Sequence, residues 1–377
     1  MEEDKNSNGD SKHKLVSVAQ VSLIKQDDIE LFAFSFGVSG LLAKSLHSVS
    51  VLKIVYHTRY QHRQVKASGL LFIPLGVPNP PLLSAQHGTT FKKSEAPSVS
   101  MGFSGMEFLA ALGYITILPD YLGYGESASL FHPYYEANLS AYTVIDMVLA
   151  VREYLEQEKI RYDNKLFLAG YSEGGYVTLA AQKEIEENPS LNYLSLKAVA
   201  AGAGGYDLFG MLQSLSTQNY FSFPAYLAFI IEAYNKVYHW KKPLNYFFRE
   251  EYAEKFKTLL DGSYEGRYVN NQLPNQMDKL FNEKFYANLK GNGELQLKRA
   301  LIKNTLLNWK SVTPLRLYHG TSDEIIPFKN SEQTYTTLKE NGANDLSFIA
   351  LKGNTHGNSL LPMIASLIPW FENYKKI

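Results

Sequence analysis

Gly170-Tyr171-Ser172-Glu173-Gly174 follows the apolar run Leu166-Phe167-Leu168-Ala169 and opens a run with helical spacing, Tyr176 onward. A strand that turns sharply into a helix around a G-x-S-x-G segment forces its serine into a strained backbone. Small residues must then flank the turn, and Gly170, Gly174 and Gly175 supply them. This one feature asks for a parallel strand with a helix behind it, and leaves a hydroxyl exposed at the strand's carboxyl end.

The rest of the chain alternates in the same way. From residue 51, Val51–His57 and Val65–Ile73 read as an antiparallel pair of strands, and Pro81–Gln86 as a short buried one. Phe108–Leu112 suggests a helix, Tyr114–Leu118 a strand, residues 140–158 an amphipathic helix, and Leu196–Ala201 another strand. Strand Leu315–His319, helix Ser331–Glu340, strand Leu346–Leu351 and helix Leu360–Tyr374 close the pattern. Alternation of this kind predicts an α/β fold: a mostly parallel central sheet flanked by helices.

Between residues 205 and 312 the alternation lapses. That is too long for a bare loop in a compact domain, and Tyr226–Val237 and Glu250–Leu260 have helical spacing. We expect an inserted helical cap at 205–312 between two parts of one core, 15–204 and 313–377. Fifteen aromatics lie between Tyr206 and Phe256. Most should form the cap's own core, and a few facing Ser172 would favour apolar groups. Residues 1–14 carry no large apolar residue beyond Met1 and are expected to be disordered. They lack the apolar core of a signal peptide, and read either as a tether left after export or as an ordinary start.

Thirty-seven basic residues balance 37 acidic ones. No whole-molecule field for nucleic acid is expected, and no run is long and apolar enough for a transmembrane helix. The chain has no cysteine, which excludes disulfides, thiolate zinc sites and cysteine nucleophiles.

A serine hydroxyl needs a base. Of nine histidines, His356 lies in the turn Gly353-Asn354-Thr355-His356-Gly357, after the last strand and before the last helix. That is where a nucleophile-elbow fold presents its histidine. His319, at a strand end, is the rival and suits a structural role better. The acid should fall between serine and histidine in chain order, which selects Asp323, with neighbouring Glu324 as the fallback. Asp120 reads as a loop tie. Oxyanion donors are expected at the amide of Glu173 and in the loop His87-Gly88-Thr89-Thr90, at Thr89 or alternatively Thr90. Ser172 excludes the haloalkane and epoxide hydrolases, which need a carboxylate there.

Three segments carry a family resemblance: Tyr171-Ser172-Glu173-Gly174-Gly175, Pro119-Asp120-Tyr121-Leu122-Gly123-Tyr124-Gly125, and His319-Gly320-Thr321-Ser322-Asp323-Glu324-Ile325-Ile326-Pro327. They resemble the secretory lipase family, with its fungal lipase-A-like members and bacterial esterase relatives, from about residue 50 to the end. The resemblance implies an α/β-hydrolase core with a helical cap, Ser-Asp-His catalysis, no cofactor and no metal. It implies a small-molecule carboxylic ester as substrate, anywhere from short acyl esters to triglycerides. It also implies export rather than a cytoplasmic place. The charged residues interleaved through the insertion (Lys236, Lys241, Lys242, Arg249, Glu250, Glu251) suit a fixed, solvated cap, for which short- to medium-chain acyl esters are expected. A true lipase, an acyltransferase or peptidase on the same three residues, and a non-catalytic binding protein are the competing readings.

Overall fold

The computed structural model describes residues 13–35, 46–100 and 108–376. Among them, nine strands form one sheet: β1 (Leu15–Ile24), β2 (Val49–Tyr60), β3 (Arg63–Pro74), β4 (Pro81–Gln86), β5 (Ile115–Pro119), β6 (Asp163–Tyr171), β7 (Leu196–Gly202), β8 (Leu315–Gly320) and β9 (Leu346–Leu351). Their order across the sheet is β1-β2-β3-β5-β4-β6-β7-β8-β9. β1, β2, β3 and β5 pair antiparallel, and every pairing from β5 to β9 is parallel. The expected α/β-hydrolase architecture is present.

Side chains on the central strands alternate between two cores. Leu166 and Leu168 of β6 join the cluster under the helices Ala137–Gln157 and Glu173–Glu187. Phe167 and Ala169 join the cluster under the helix Leu360–Lys376. Both faces being covered, these strands read as continuous apolar runs.

The order in which strands join the sheet reverses at β4, which lies between β5 and β6 and parallel to both. Open α/β sheets offer their binding crevice at the carboxyl ends of the strands at such a point. The loop after β4 and the turn after β6 meet there.

The first two elements of the described chain were not expected from the sequence. β1 is an edge strand whose register slips between Leu15 and Ser17 and between Gln20 and Ser22. Those slips break the inward–outward alternation by which a strand is read. The helix Gln26–Ser35 buries just Ile29 and Ala33, too little to mark a period. The expected unstructured segment 1–14 lies outside the described residues as far as residue 12. Lys14, however, is held: its amine is 2.9 Å from Asp146 and its backbone N–H donates to Glu153 Oε1 at 2.7 Å.

Residues 203–314 leave the sheet between β7 and β8. They run through the helices Leu208–Thr217, Pro224–Val237, Leu244–Phe247, Glu250–Leu259, Gly266–Asn271, Met277–Leu280, Glu283–Lys290 and Leu295–Lys303.

Candidate active site

β6 ends in the turn at Ser172, which has φ 60° and ψ −125°. A residue with a side chain adopts that region at a cost and stays only where its surroundings hold it. Here the Ser172 N–H donates to the Gly202 carbonyl at 2.9 Å, while the Ser172 carbonyl accepts from the amides of Gly175 and Tyr176. The packing explains two glycines. A methyl group at Gly170 would collide with the Gly174 carbonyl, and one at Gly174 with the Gln86 carbonyl.

His356 sits in the turn after β9. Its Nε2 is 2.9 Å from Ser172 Oγ, and its Nδ1 is 2.7 Å from Asp323 Oδ2. The hydroxyl can donate to Nε2, while the Nδ1–H donates to the carboxylate, which fixes the ring's tautomer. Tyr171 Oη donates to the His356 carbonyl at 2.7 Å, and Glu324 Oε2 accepts the His356 backbone N–H at 3.2 Å. Glu324 thus holds the turn by its backbone and Asp323 holds the ring.

Asp323 is bound on both oxygens. Its Oδ1 accepts from the amides of Ile325 and Ile326 at 2.9 and 2.8 Å. Its Oδ2 faces a second histidine as well, His319 Nε2 at 3.2 Å, with both side chains fully buried. Burial alone would push the Asp323 pKa up. Hydrogen bonds from His319 and His356, and their positive charge when protonated, outweigh it and hold the carboxyl well below the usual carboxylate range. His319 is braced in turn by Ser331 Oγ at 2.7 Å and the Ile326 carbonyl at 2.9 Å. The sequence marked His319 as the rival base but one better suited to a structural role. It stands behind the acid, a placement that no local pattern in the sequence carries.

The loop after β4 lies beside the serine: a Cβ at Gly88 would be 3.7 Å from Ser172 Cβ. Among the described residues, the amides of Glu173, Thr89 and Thr90 donate to no protein acceptor. Tyr121 Oη donates to the His87 carbonyl at 2.9 Å, Tyr124 Oη bonds the Thr90 carbonyl, and Thr89 Oγ1 meets Tyr134 Oη at 3.0 Å. His87 stacks on Tyr121 at 4.1 Å between ring centres and bonds the Gly88 carbonyl, so it shapes this loop. Asp120 is fully buried and accepts from Ser68 Oγ, Ser98 Oγ and the Ser98 amide. It ties the loop after β5 to its neighbours.

Helix Pro224–Val237 packs on this region. Phe229 stacks on Phe91 at 4.6 Å and on Tyr134 at 4.8 Å, and Tyr226 lies 5.7 Å from Phe91. Most other aromatics of the segment, among them Tyr234, Phe247, Phe248 and Phe256, are buried in the hydrophobic core.

A family model described as secretory lipase matches residues 93–374. The chain belongs to the secretory lipase family. Lipase 6 of Candida albicans is 26% identical over 269 residues, 69% of this chain and 55% of that protein, so the match spans about half of its relative's length. The rice cell wall degrading esterase LipA of Xanthomonas oryzae superposes with a TM-score of 0.81 at 26% identity, covering 94% of this chain and 96% of that one. Candida antarctica lipase A in its closed state has a TM-score of 0.71 at 15% identity, covering 97% and 83%, a likeness of fold. No helix among the described residues of this family member is long and apolar enough to cross a membrane. No group of three or more His, Cys, Asp or Glu side chains among them could hold a metal ion.

Proposed function

We propose that the chain is a serine esterase that cleaves carboxylic esters through an acyl-enzyme. The observation that carries this reading is the continuous relay from Ser172 Oγ through His356 to Asp323, at 2.9 and 2.7 Å. His356 Nε2 takes the hydroxyl proton as Oγ attacks the ester carbonyl carbon. Asp323 orients the ring and stabilises the imidazolium that forms. The carbonyl oxygen, now negative, is received by the unengaged amides of Glu173 and of Thr89 or Thr90. His356 then gives its proton to the departing alcohol, and a water activated by the same ring releases the acid. The lipase and esterase names of the relatives support ester bonds as the target.

We assign the helical segment 205–312 as a cap that supplies the apolar side of the substrate site. Phe229 and Tyr226, set against the loop after β4, support this. The segment also holds an apolar cavity among its own helices, lined by Leu208, Met211, Leu227, Ile231, Phe281 and Leu301. Charged residues exposed along the segment, among them Lys236, Lys241, Arg249, Glu250 and Glu251, suit a permanently solvated outer face, and a fixed roof favours dissolved esters of short to medium chain.

The test is hydrolysis of nitrophenyl esters of graded acyl length beside a peptide and a triglyceride emulsion. The expected result is turnover of the esters that falls with long acyl chains. Cleavage of the peptide alone would overturn the reading.

A further inference from the structure

Glu173 follows the nucleophile directly, and its side chain is 1% exposed. A carboxyl group buried beside a site where negative charge develops needs a physical account. Its Oε1 lies 2.6 Å from His132 Nε2, while its Oε2 has no hydrogen-bond partner among the described residues. His132 is also buried, and its Nδ1 is 2.7 Å from the Leu122 carbonyl oxygen. A carbonyl can only accept, so Nδ1 carries a proton. Two lone pairs do not approach to 2.6 Å, so the second contact also holds a proton, on His132 Nε2 or on the Glu173 carboxyl. Either placement leaves the pair with no net charge. Among the described residues, His132 is the sole cation-forming partner of Glu173.

His132 belongs to the connection after β5, residues 120–136. The same connection grips the loop after β4 through Tyr121, Tyr124 and Tyr134. One segment therefore holds both stretches of backbone that flank the serine: 87–90 by its phenols, and the start of the helix Glu173–Glu187 by His132.

We infer that His132 is a positioning residue for the oxyanion site, fixing the first helical residue by its carboxyl and cancelling that carboxyl's charge. The inference rests on the serine-esterase reading. A substituted His132 would leave this carboxyl without its anchor, and any charge it kept would lie within the residue whose amide must stabilise an anion, where like charges oppose each other.

The experiment compares His132→Leu and His132→Gln, each alone and combined with Glu173→Gln, in kcat and KM for a soluble nitrophenyl ester and in the rate of labelling by a fluorophosphonate. Thermal unfolding of each variant is followed alongside. Either single variant should lose about 10-fold or more in kcat, a fraction of what loss of a whole oxyanion donor costs. KM should stay within about 2-fold, because the ground-state ester carries no charge to feel the carboxylate. Labelling should slow in parallel, since the phosphonyl oxygen uses the same amides. The added Glu173→Gln should restore most of the kcat of whichever single variant folds. Unchanged kcat in a folded single variant, or a loss that Glu173→Gln does not relieve in either background, overturns the inference. Should both single variants unfold, double variants that fold yet lack the restored kcat overturn it too. Wild-type protein that neither hydrolyses ester nor takes the label would instead sink the esterase reading, so the two failures are distinct.

Discussion

Asp323 accepts four hydrogen-bond contacts, two from backbone amides and two from histidines. Its depressed pKa makes a stability prediction whose sign follows from linkage. A carboxyl held below its unfolded value stabilises the fold above the ordinary aspartate pKa of about 3.9, and that contribution is lost as pH falls through the folded value. The difference in Tm between the wild type and Asp323→Asn should therefore be large at neutral pH and should narrow below about pH 4. A gap that widened on acidification would refute the placement of charge. In activity, Asp323→Asn should cut kcat by about 10³-fold or more, because the ring loses the tautomer it needs. Glu324→Gln should cost far less, since that side chain meets a backbone N–H and not the ring. Ser172→Ala should keep its fold and lose fluorophosphonate labelling; strong labelling of that variant would move the nucleophile elsewhere. Ser172, Asp323 and His356 were named from the chain because each sits in a turn whose type and order the fold dictates, and the structure brings the three together. His319 and His132 could not. What matters for them is the neighbour met across the fold: Asp323, four residues on, for one, and Glu173, 41 residues away, for the other.

At the scale of elements, the strand–turn–helix at Ser172 is where the sequence is most explicit, and its glycines can be tested. Gly174 is pressed against the Gln86 carbonyl at the end of β4. Gly174→Ala must push β4 and the elbow apart or leave the elbow misformed. Overpacking of this kind costs about 1–3 kcal/mol, and more where backbone is the obstacle. We expect a clearly lowered Tm by calorimetry together with loss of kcat, because the same contact sets the loop after β4 beside Ser172. Wild-type stability and rate in this variant would mean that the close approach is not required. Long periodic elements were legible: β4 and β9 run over the residues expected, and helix Ala137–Gln157 within three residues at each end. β1 was not, because two register slips hide its alternation. Neither were the four-residue helices Leu244–Phe247 and Met277–Leu280, each too short to show a period.

At the scale of the molecule, the cap proposed at 205–312 predicts different kinetics as a fixed roof and as a lid that lifts at an interface. Helix Pro224–Val237 is joined to the remainder by more than apolar contact. Tyr234 Oη donates to the Tyr135 carbonyl at 2.9 Å, Tyr238 Oη meets Glu136 Oε1 at 3.1 Å, and Gln61 Nε2 donates to the Val237 carbonyl at 2.8 Å. Asn304 Nδ2 donates to Tyr238 Oη at 2.8 Å and its carbonyl accepts from Tyr176 Oη at 2.7 Å, which stitches the end of the segment to the helix behind the serine. Tyr234 and Ala228 are fully buried and Phe229 nearly so. Lifting this helix would expose those rings and strand several buried polar groups, at about 1–3 kcal/mol for each one left without a partner. Charged residues are already exposed along the segment, Lys236 on this helix and Lys241, Arg249, Glu250 and Glu251 after it, and these gain nothing from an oil surface. A fixed roof predicts simple saturation by dissolved ester. The rate, measured as a soluble ester is raised through its solubility limit, should level off below that limit and continue without a step. A sharp rise on formation of the emulsion, with little turnover of the dissolved ester, would mean that the helix opens at an interface and that the protein acts as a true lipase.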